Sequence, residues 1–436
     1  MVTRSHQPFK EATFVGLLIL YLLAGIRVVP FHGDESTIIH KSRDWYLLTQ
    51  GDLPSLFYSA NPVDPAEQEL RLVNGAVSEY SIGLLASLSG LGLRDLPQQW
   101  LWGADWDYNL ANGHIPSDQL LFIGRLASAL LTALSIALVF AITRRVGGPS
   151  SAHVAALMYT LMPAVLLNGR RAMFEGATLL AVPLVIVAGL VVASRLGKAV
   201  APKQWRLWIL FGLAVGFGMA SKHILIVTIV PVFAALIFVG RRNLARTLAY
   251  SFTSAVIAFV LFIALNPTWW SAPLRVPGEV VRLRAKLATD QLAYYGGYSY
   301  APDRLTALWT QVMAAPQYYE DDKGWPVWIG GQIAVYEASG LQGLTWSPVG
   351  ATVLFILSIV GSVFAWKSAG PSRRLGLLVF AWIFGFSLFG IFVLTPLAWQ
   401  RYYLLLAAPL AVGYGLGLTV FVSALWKRLP AAPKGR

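Results

Sequence analysis

Two neighbouring carboxylates, Asp34 and Glu35, stand in the run FHGDES, directly after an apolar stretch. An acidic pair so placed suits catalysis and, equally, the capping of a following helix. Cations able to hold a phosphate recur along the same chain. Arg170 and Arg171 form a pair, Lys222 stands alone in Ser221-Lys222-His223, and Arg401 lies in WQRYY, each beside a long apolar run. A guanidinium presents a planar fork matched to two phosphate oxygens, and an ammonium presents a compact charge. Arg27, Arg125 and Glu175 share the same setting. An ionisable group near lipid costs at least a few kcal/mol, which makes charges at the rims of apolar runs the natural functional candidates. Taken singly, each also fits a side chain that snorkels to the interface, and Asp34 fits the N-cap of a helix through ESTIIHKSRDWYLL.

The elements that must position these groups are membrane helices. The chain has 436 residues, 56% hydrophobic and only 13% charged, with no cysteine, and its mean hydropathy is +0.60. A soluble domain carries about 25% charged residues to cover its surface, so much of this surface faces lipid. Disulfide scaffolds and thiolate metal sites are excluded together. Apolar runs long enough to cross a core of about 30 Å fall at 12–30, 120–143, 152–169, 173–194, 206–220, 223–240, 247–266, 348–366, 376–397 and 402–426, predicting about ten helices in one membrane domain over 1–436. The first span is expected to be retained rather than cleaved as a signal peptide, since Arg27 lies near its outer end.

Sidedness follows from basic residues, which are retained on the cytoplasmic side. With ten spans the inner segments hold 18 of the 34 Lys and Arg beside one acid, Glu11, while 19 of the 21 acids fall in two outer loops, 32–119 and 267–347. The net charge of +13 therefore reports topology and gives no support to nucleic-acid binding. A further apolar run, 76–93, is broken by Glu79, serines and glycines; were it to cross, the RR and RLGK clusters would face outward. It reads as re-entrant or interfacial. Both termini are then cytoplasmic, and Arg27, Asp34, Glu35, Arg125, Arg170, Arg171, Glu175, Lys222 and Arg401 all fall at the outer membrane face. A lone Lys222 between two apolar helices on that side calls for a compensating anion, which a lipid phosphate would supply.

Weaker signals lie in the outer loops. Asp105-Trp106-Asp107 and Glu320-Asp321-Asp322 could hold a divalent cation, although solvated loop acids are commoner; His32 and His40 lack the carboxylate spacing of a metal site. Ten of the 16 tryptophans lie in these loops, which suits interfacial belts and also sugar rings. No P-loop, dinucleotide fingerprint, HExxH or GxSxG motif is present.

The Asp-Glu pair after the first helix, the arginine-led helix IGRLASALLTALSIALVFAITRRVGG, then LNGRRAMFEGATLLAVPL, MASKHILIV and WQRYYLLLAAPLAVGYG together resemble the polytopic glycosyltransferases of the GT-C class. The resemblance is to the group of protein O-mannosyltransferases and the lipid A aminoarabinose transferase (glycosyltransferase families 39 and 83). It covers the membrane part of the chain, best in the first 240 residues, and the outer loops only in size and position. It implies an all-α GT-C fold whose two extracytoplasmic loops carry short interfacial helices. It also implies an inverting hexosyl or pentosyl transfer from a polyprenyl or dolichyl phosphate donor to a glycan, lipid or protein acceptor at the outer face of the cell membrane. By that resemblance Asp34 would be the general base and Glu35 would orient the acceptor or support the base. Arg170 or Arg171, Lys222 and Arg401 would hold the donor phosphate, with Glu175, Arg125, Asp105 and Asp107 as acceptor or supporting groups. Glu175 stands where relatives often carry Asp. No segment matches the soluble sugar-binding module of eukaryotic protein mannosyltransferases, so a bacterial or archaeal enzyme is expected, without a required cofactor unless a divalent cation. The competing class is a transporter or flippase for an anionic lipid or solute, against which stand the one-sided charges and the missing internal repeat; a membrane scaffold without chemistry is the third.

Overall fold

The computed structural model describes residues 7–196, 204–318, 325–395 and 397–426. All regular structure among them is helical. Each of the ten apolar runs falls on a helix or a helix pair, for the reason the hydropathy implies: backbone polar groups in lipid must be satisfied within the segment. Among the described residues six helices are long and apolar enough to cross a membrane: Asp118–Val146, Glu175–Leu196, Arg241–Leu265, Pro348–Ser368, Pro371–Leu394 and Gln400–Trp426. A seventh crossing is added if the bent pair Pro149–Thr160 and Pro163–Arg170 is one span. That pair bends by 59° where Pro163 begins the second segment, a residue that cannot donate to the preceding turn. The helices Gln7–Ala24 and Gln204–Ser221 are 18 residues each, and Lys10, Glu11, Gln204 and Arg206 lower their hydropathy.

Small residues let the helices approach where lipid gives no hydrophobic drive to associate. Gly361 packs directly on the backbone of Gly417, joining Pro348–Ser368 to Ala407–Trp426. A Cβ on Gly176 would stand 2.5 Å from the Ser128 carbonyl, so glycine brings Glu175–Leu196 against Asp118–Val146. These two helices and Gln400–Trp426 form the protein-buried centre, while Arg241–Leu265 is only 22% buried and turns its apolar face outward.

The loop 32–119 is helical. Gly33–Lys41, Arg43–Gln50, Pro65–Val73, Val77–Leu88 and Trp106–Ala111 fold over one end of the bundle. The run 76–93 supplies the 12-residue helix Val77–Leu88, about 18 Å long at 1.5 Å per residue and too short to cross. Its Glu79 is buried against Lys41, and burial pushes that carboxyl up despite the ammonium. Arg71 clasps Asp44 with two 2.7 Å bonds. The loop 267–347 adds Val276–Tyr295, Ala301–Thr310 and Trp325–Ala338. Leu72 and Val73 of the first loop share an apolar cluster with Trp269, Val276, Val280 and Leu283 of the second, so the two loops form one cap.

Candidate active site

The chain leaves its first helix through Phe31-His32-Gly33. Glycine is required at 33, because a Cβ there would stand 2.7 Å from the Trp100 indole nitrogen. The next helix is capped by His32 and not by Asp34: the Asp34 N–H donates to His32 Nδ1 at 3.1 Å, and the His32 N–H donates to Glu35 Oε2 at 3.1 Å. Burial, with Arg171 and Arg401 nearby, holds the His32 ring well below the ordinary histidine range, so Nδ1 remains an acceptor. The Asp34 carboxylate, in the positive first turn of the helix, is left to face Arg401, with which it is ion-paired.

The two adjacent acids differ sharply. The Asp34 side chain is 25% exposed, whereas Glu35 is fully buried. Glu35 receives both Nε and Nη2 of Arg125 at 2.8 Å and the Ala172 N–H at 2.9 Å. With the His32 amide, that makes four donors on one carboxylate. Glu35 therefore ties three segments together: its own helix, the arginine-led helix Asp118–Val146 and the turn after Arg171. Buried beneath those four donors, the Glu35 carboxylate is closed to an incoming molecule.

The arginine pair also departs from expectation. Arg170 has no exposed surface; its guanidinium donates to the carbonyls of Leu22, Tyr21 and Leu341 and to the Tyr336 hydroxyl. Arg171, equally buried, donates to the carbonyls of Pro30 and Tyr318. Donors committed to carbonyls clamp the first helix to the second loop, and neither guanidinium opens to a substrate phosphate. Lys222 is different: it extends from the break between Gln204–Ser221 and the next helix, and its Nζ lies 2.8 Å from Glu175 Oε1. Glu175 is buried, and its Oε2 has no hydrogen-bond partner among the described residues.

Arg401 is the second residue of the 3-10 segment Gln400–Leu406 and lies over the Trp399 ring at 5.0 Å. Its neighbour Gln400 is buried. The Gln400 amide reaches the carbonyls of Gln311 and Ala315, and its N–H donates to Gln317. The second loop thus fixes the backbone that aims Arg401. Sequence reasoning missed His32 as a cap and Gln400 as an anchor; FHGDES and WQRYY display both residues but not their partners.

The outer aspartates stand apart. Asp105 is exposed and caps Trp106–Ala111 by accepting the Tyr108 N–H at 2.8 Å, and Asp107 is exposed. Neither reaches the Asp34 cluster; a local helix start explains Asp105. The intervening Trp106 packs on Phe31, Trp100 and Trp328. His40 is taken up by the Pro97 carbonyl. Among the described residues no three His, Asp or Glu side chains converge as a metal site, and Glu320-Asp321-Asp322 lies outside them.

This cap over a helical bundle is the GT-C fold. The chain is similar to ArnT from Cupriavidus metallidurans bound to undecaprenyl phosphate, with a TM-score of 0.53 and 14% identity over 97% of this chain and 61% of that one. It is similar also to the oligosaccharyltransferase of Archaeoglobus fulgidus in the apo form, with a TM-score of 0.52 and 13% identity over 100% of this chain and 53% of that one. The chain thus spans about three fifths and one half of the lengths of these proteins. In sequence, residues 117–270 match the dolichyl-phosphate-mannose-protein mannosyltransferase family, a stretch that contains Arg125, Arg170, Arg171, Glu175 and Lys222. No curated protein matches the chain.

Proposed function

We propose that the protein is an inverting glycosyltransferase that moves a sugar from a polyprenyl phosphate to an acceptor hydroxyl at the extracytoplasmic face of the membrane. The observation that carries the reading is the pairing of a partly exposed carboxylate, Asp34, with a partly exposed guanidinium, Arg401, beside a carboxylate locked for structure. The family match over 117–270 and the undecaprenyl phosphate of the ArnT structure support the class of donor.

In this reading the acceptor hydroxyl gives its proton to Asp34 as its oxygen attacks the anomeric carbon from the side opposite the phosphate. The bond from that carbon to the phosphate oxygen breaks, and the electron pair leaves on the lipid phosphate. Arg401 and Lys222 stabilise that developing charge. Glu35 is a positioning residue: clasped by Arg125, it fixes the helix that carries Asp34. Arg170 and Arg171 hold the second loop in place. Arg401 serves both groups, since a phosphate that draws it away loosens its hold on the Asp34 carboxylate and leaves that oxygen to accept a proton.

The test is transfer by purified Asp34→Asn, supplied with a polyprenyl-phosphate sugar and a glycolipid acceptor mixture. Donor binding should persist while transfer falls by about 10²–10⁴-fold, the range of general-base catalysis. Unchanged turnover would remove Asp34 from the role, and a product with the donor's own anomeric configuration would remove the inverting mechanism.

A further inference from the structure

At the end of the bundle opposite Asp34, the helix ending at Val239 turns into Arg241–Leu265 through a short 3-10 segment, Arg241–Asn243. Glycine is needed at 240, because a Cβ there would run into the Thr247 hydroxyl, which donates instead to the Gly240 carbonyl at 3.1 Å. The turn opens a cavity of about 710 Å³ whose walls include Arg241, Arg242 and Arg246, with Phe238 and Leu378 as apolar surface and no carboxylate among the lining residues.

Among the described residues no carboxylate pairs with these arginines. Arg144 is paired with Glu11, and Arg373 and Arg374 donate to backbone carbonyls at 2.7–3.1 Å. Among the described residues Arg241 donates to the Phe238 carbonyl alone, at 3.0 Å, and lies 4.4 Å above the Phe238 ring. Arg246, among the described residues, donates to the neutral Tyr250 hydroxyl alone, at 3.0 Å. Retention of positive charge on the inner side accounts for the presence of basic residues. It does not require three of them to share one cavity without an acid. Phe238 is 53% exposed and Leu378 48%, so the cationic wall continues into a surface fit for hydrocarbon. Clustered basic side chains between membrane helices on the cytoplasmic side suit anionic headgroups, and guanidiniums suit phosphate oxygens.

We infer that this cavity binds an anionic glycerophospholipid of the inner leaflet, with its phosphate on Arg241, Arg242 and Arg246 and an acyl chain along Phe238 and Leu378. The site is separate from the one proposed to hold the donor, and its occupancy is read without any transfer assay.

The experiment is native mass spectrometry of the full chain, extracted from nanodiscs of phosphatidylglycerol and phosphatidylcholine, with lipid retention titrated. The intact chain should retain phosphatidylglycerol. The triple variant R241Q/R242Q/R246Q should weaken that retention about tenfold. The cavity-filling Leu378→Trp, which keeps every charge, should weaken it too. Circular dichroism confirms that both variants are folded. Equal retention by the intact chain and either folded variant overturns the site. Displacement of the lipid by millimolar inorganic phosphate would show a free-anion site and overturn the lipid assignment, as would arginine-dependent retention of undecaprenyl phosphate in preference to phosphatidylglycerol.

Discussion

At one end of the bundle Arg125, Lys222 and Arg401 each meet a carboxylate; at the other, three arginines line a cavity with no carboxylate among its described lining residues. The same residue type therefore meets two electrostatic situations. Where the protein supplies the counter-charge, an incoming anion must compete for the cation, and binding can be coupled to release of the displaced carboxylate. Where it does not, the ligand itself completes the charge balance. The first arrangement suits chemistry in which a base must be freed when the donor arrives, and the second suits simple retention of an anion.

The paired end breaks most severely at Asp34, where the Asn variant described above should cost transfer about 10²–10⁴-fold. Next comes the closed clasp. Glu35→Ala or Arg125→Ala leaves an uncompensated buried charge and should destabilise the protein by about 3–5 kcal/mol, read as a lowered midpoint in thermal unfolding. A midpoint unchanged in both variants would deny the clasp its structural role. Lys222→Gln removes a charge-assisted contact worth about 1.5–3 kcal/mol, so donor affinity should fall roughly tenfold to a hundredfold while the anomeric outcome of residual turnover stays the same. Isothermal titration with the donor lipid checks it, and unaltered affinity would take Lys222 out of the phosphate site.

The smallest effect is on pH dependence. The folded-state pKa of His32 is depressed by burial and by Arg171 and Arg401, so below about pH 6.5 the unfolded chain binds a proton that the native ring refuses. Stability from this group is present above that pH and should fall by up to about 1.4 kcal/mol per unit as pH drops below it. His32→Asn keeps a side chain able to cap the helix and should flatten that slope. An equally steep slope in the variant would assign the acid sensitivity to other groups.

Much of this molecule is legible in its sequence. Hydropathy locates the helices, because a backbone in lipid has no alternative partners. The expected helix at 152–169 breaks at Pro163, which is visible in the string, although the 59° bend itself is a property of the packing. The composition of 76–93 left two readings open, and the 12-residue length of Val77–Leu88 decides against a crossing.

The candidate site was legible only as a set of residue types. Asp34, Glu35, Arg170, Arg171, Lys222 and Arg401 are marked by position beside apolar runs, yet neighbours in the chain have opposite fates in space. Asp34 remains partly open while Glu35 is sealed by Arg125, and both members of the Arg170-Arg171 pair turn inward to carbonyls. No local pattern could separate them, since the partners come from afar: Asp34 and Arg401 are 367 positions apart, and Glu35 and Arg125 are 90 apart. The sequence by itself determined that the chain lies in a membrane and which ionisable groups it carries at the rims of its helices, because transfer from water to lipid depends on residue type. Only the tertiary structure decided which of those charges are sealed into the scaffold and which stay open to a ligand, because burial and pairing are set by the helices that close over each one.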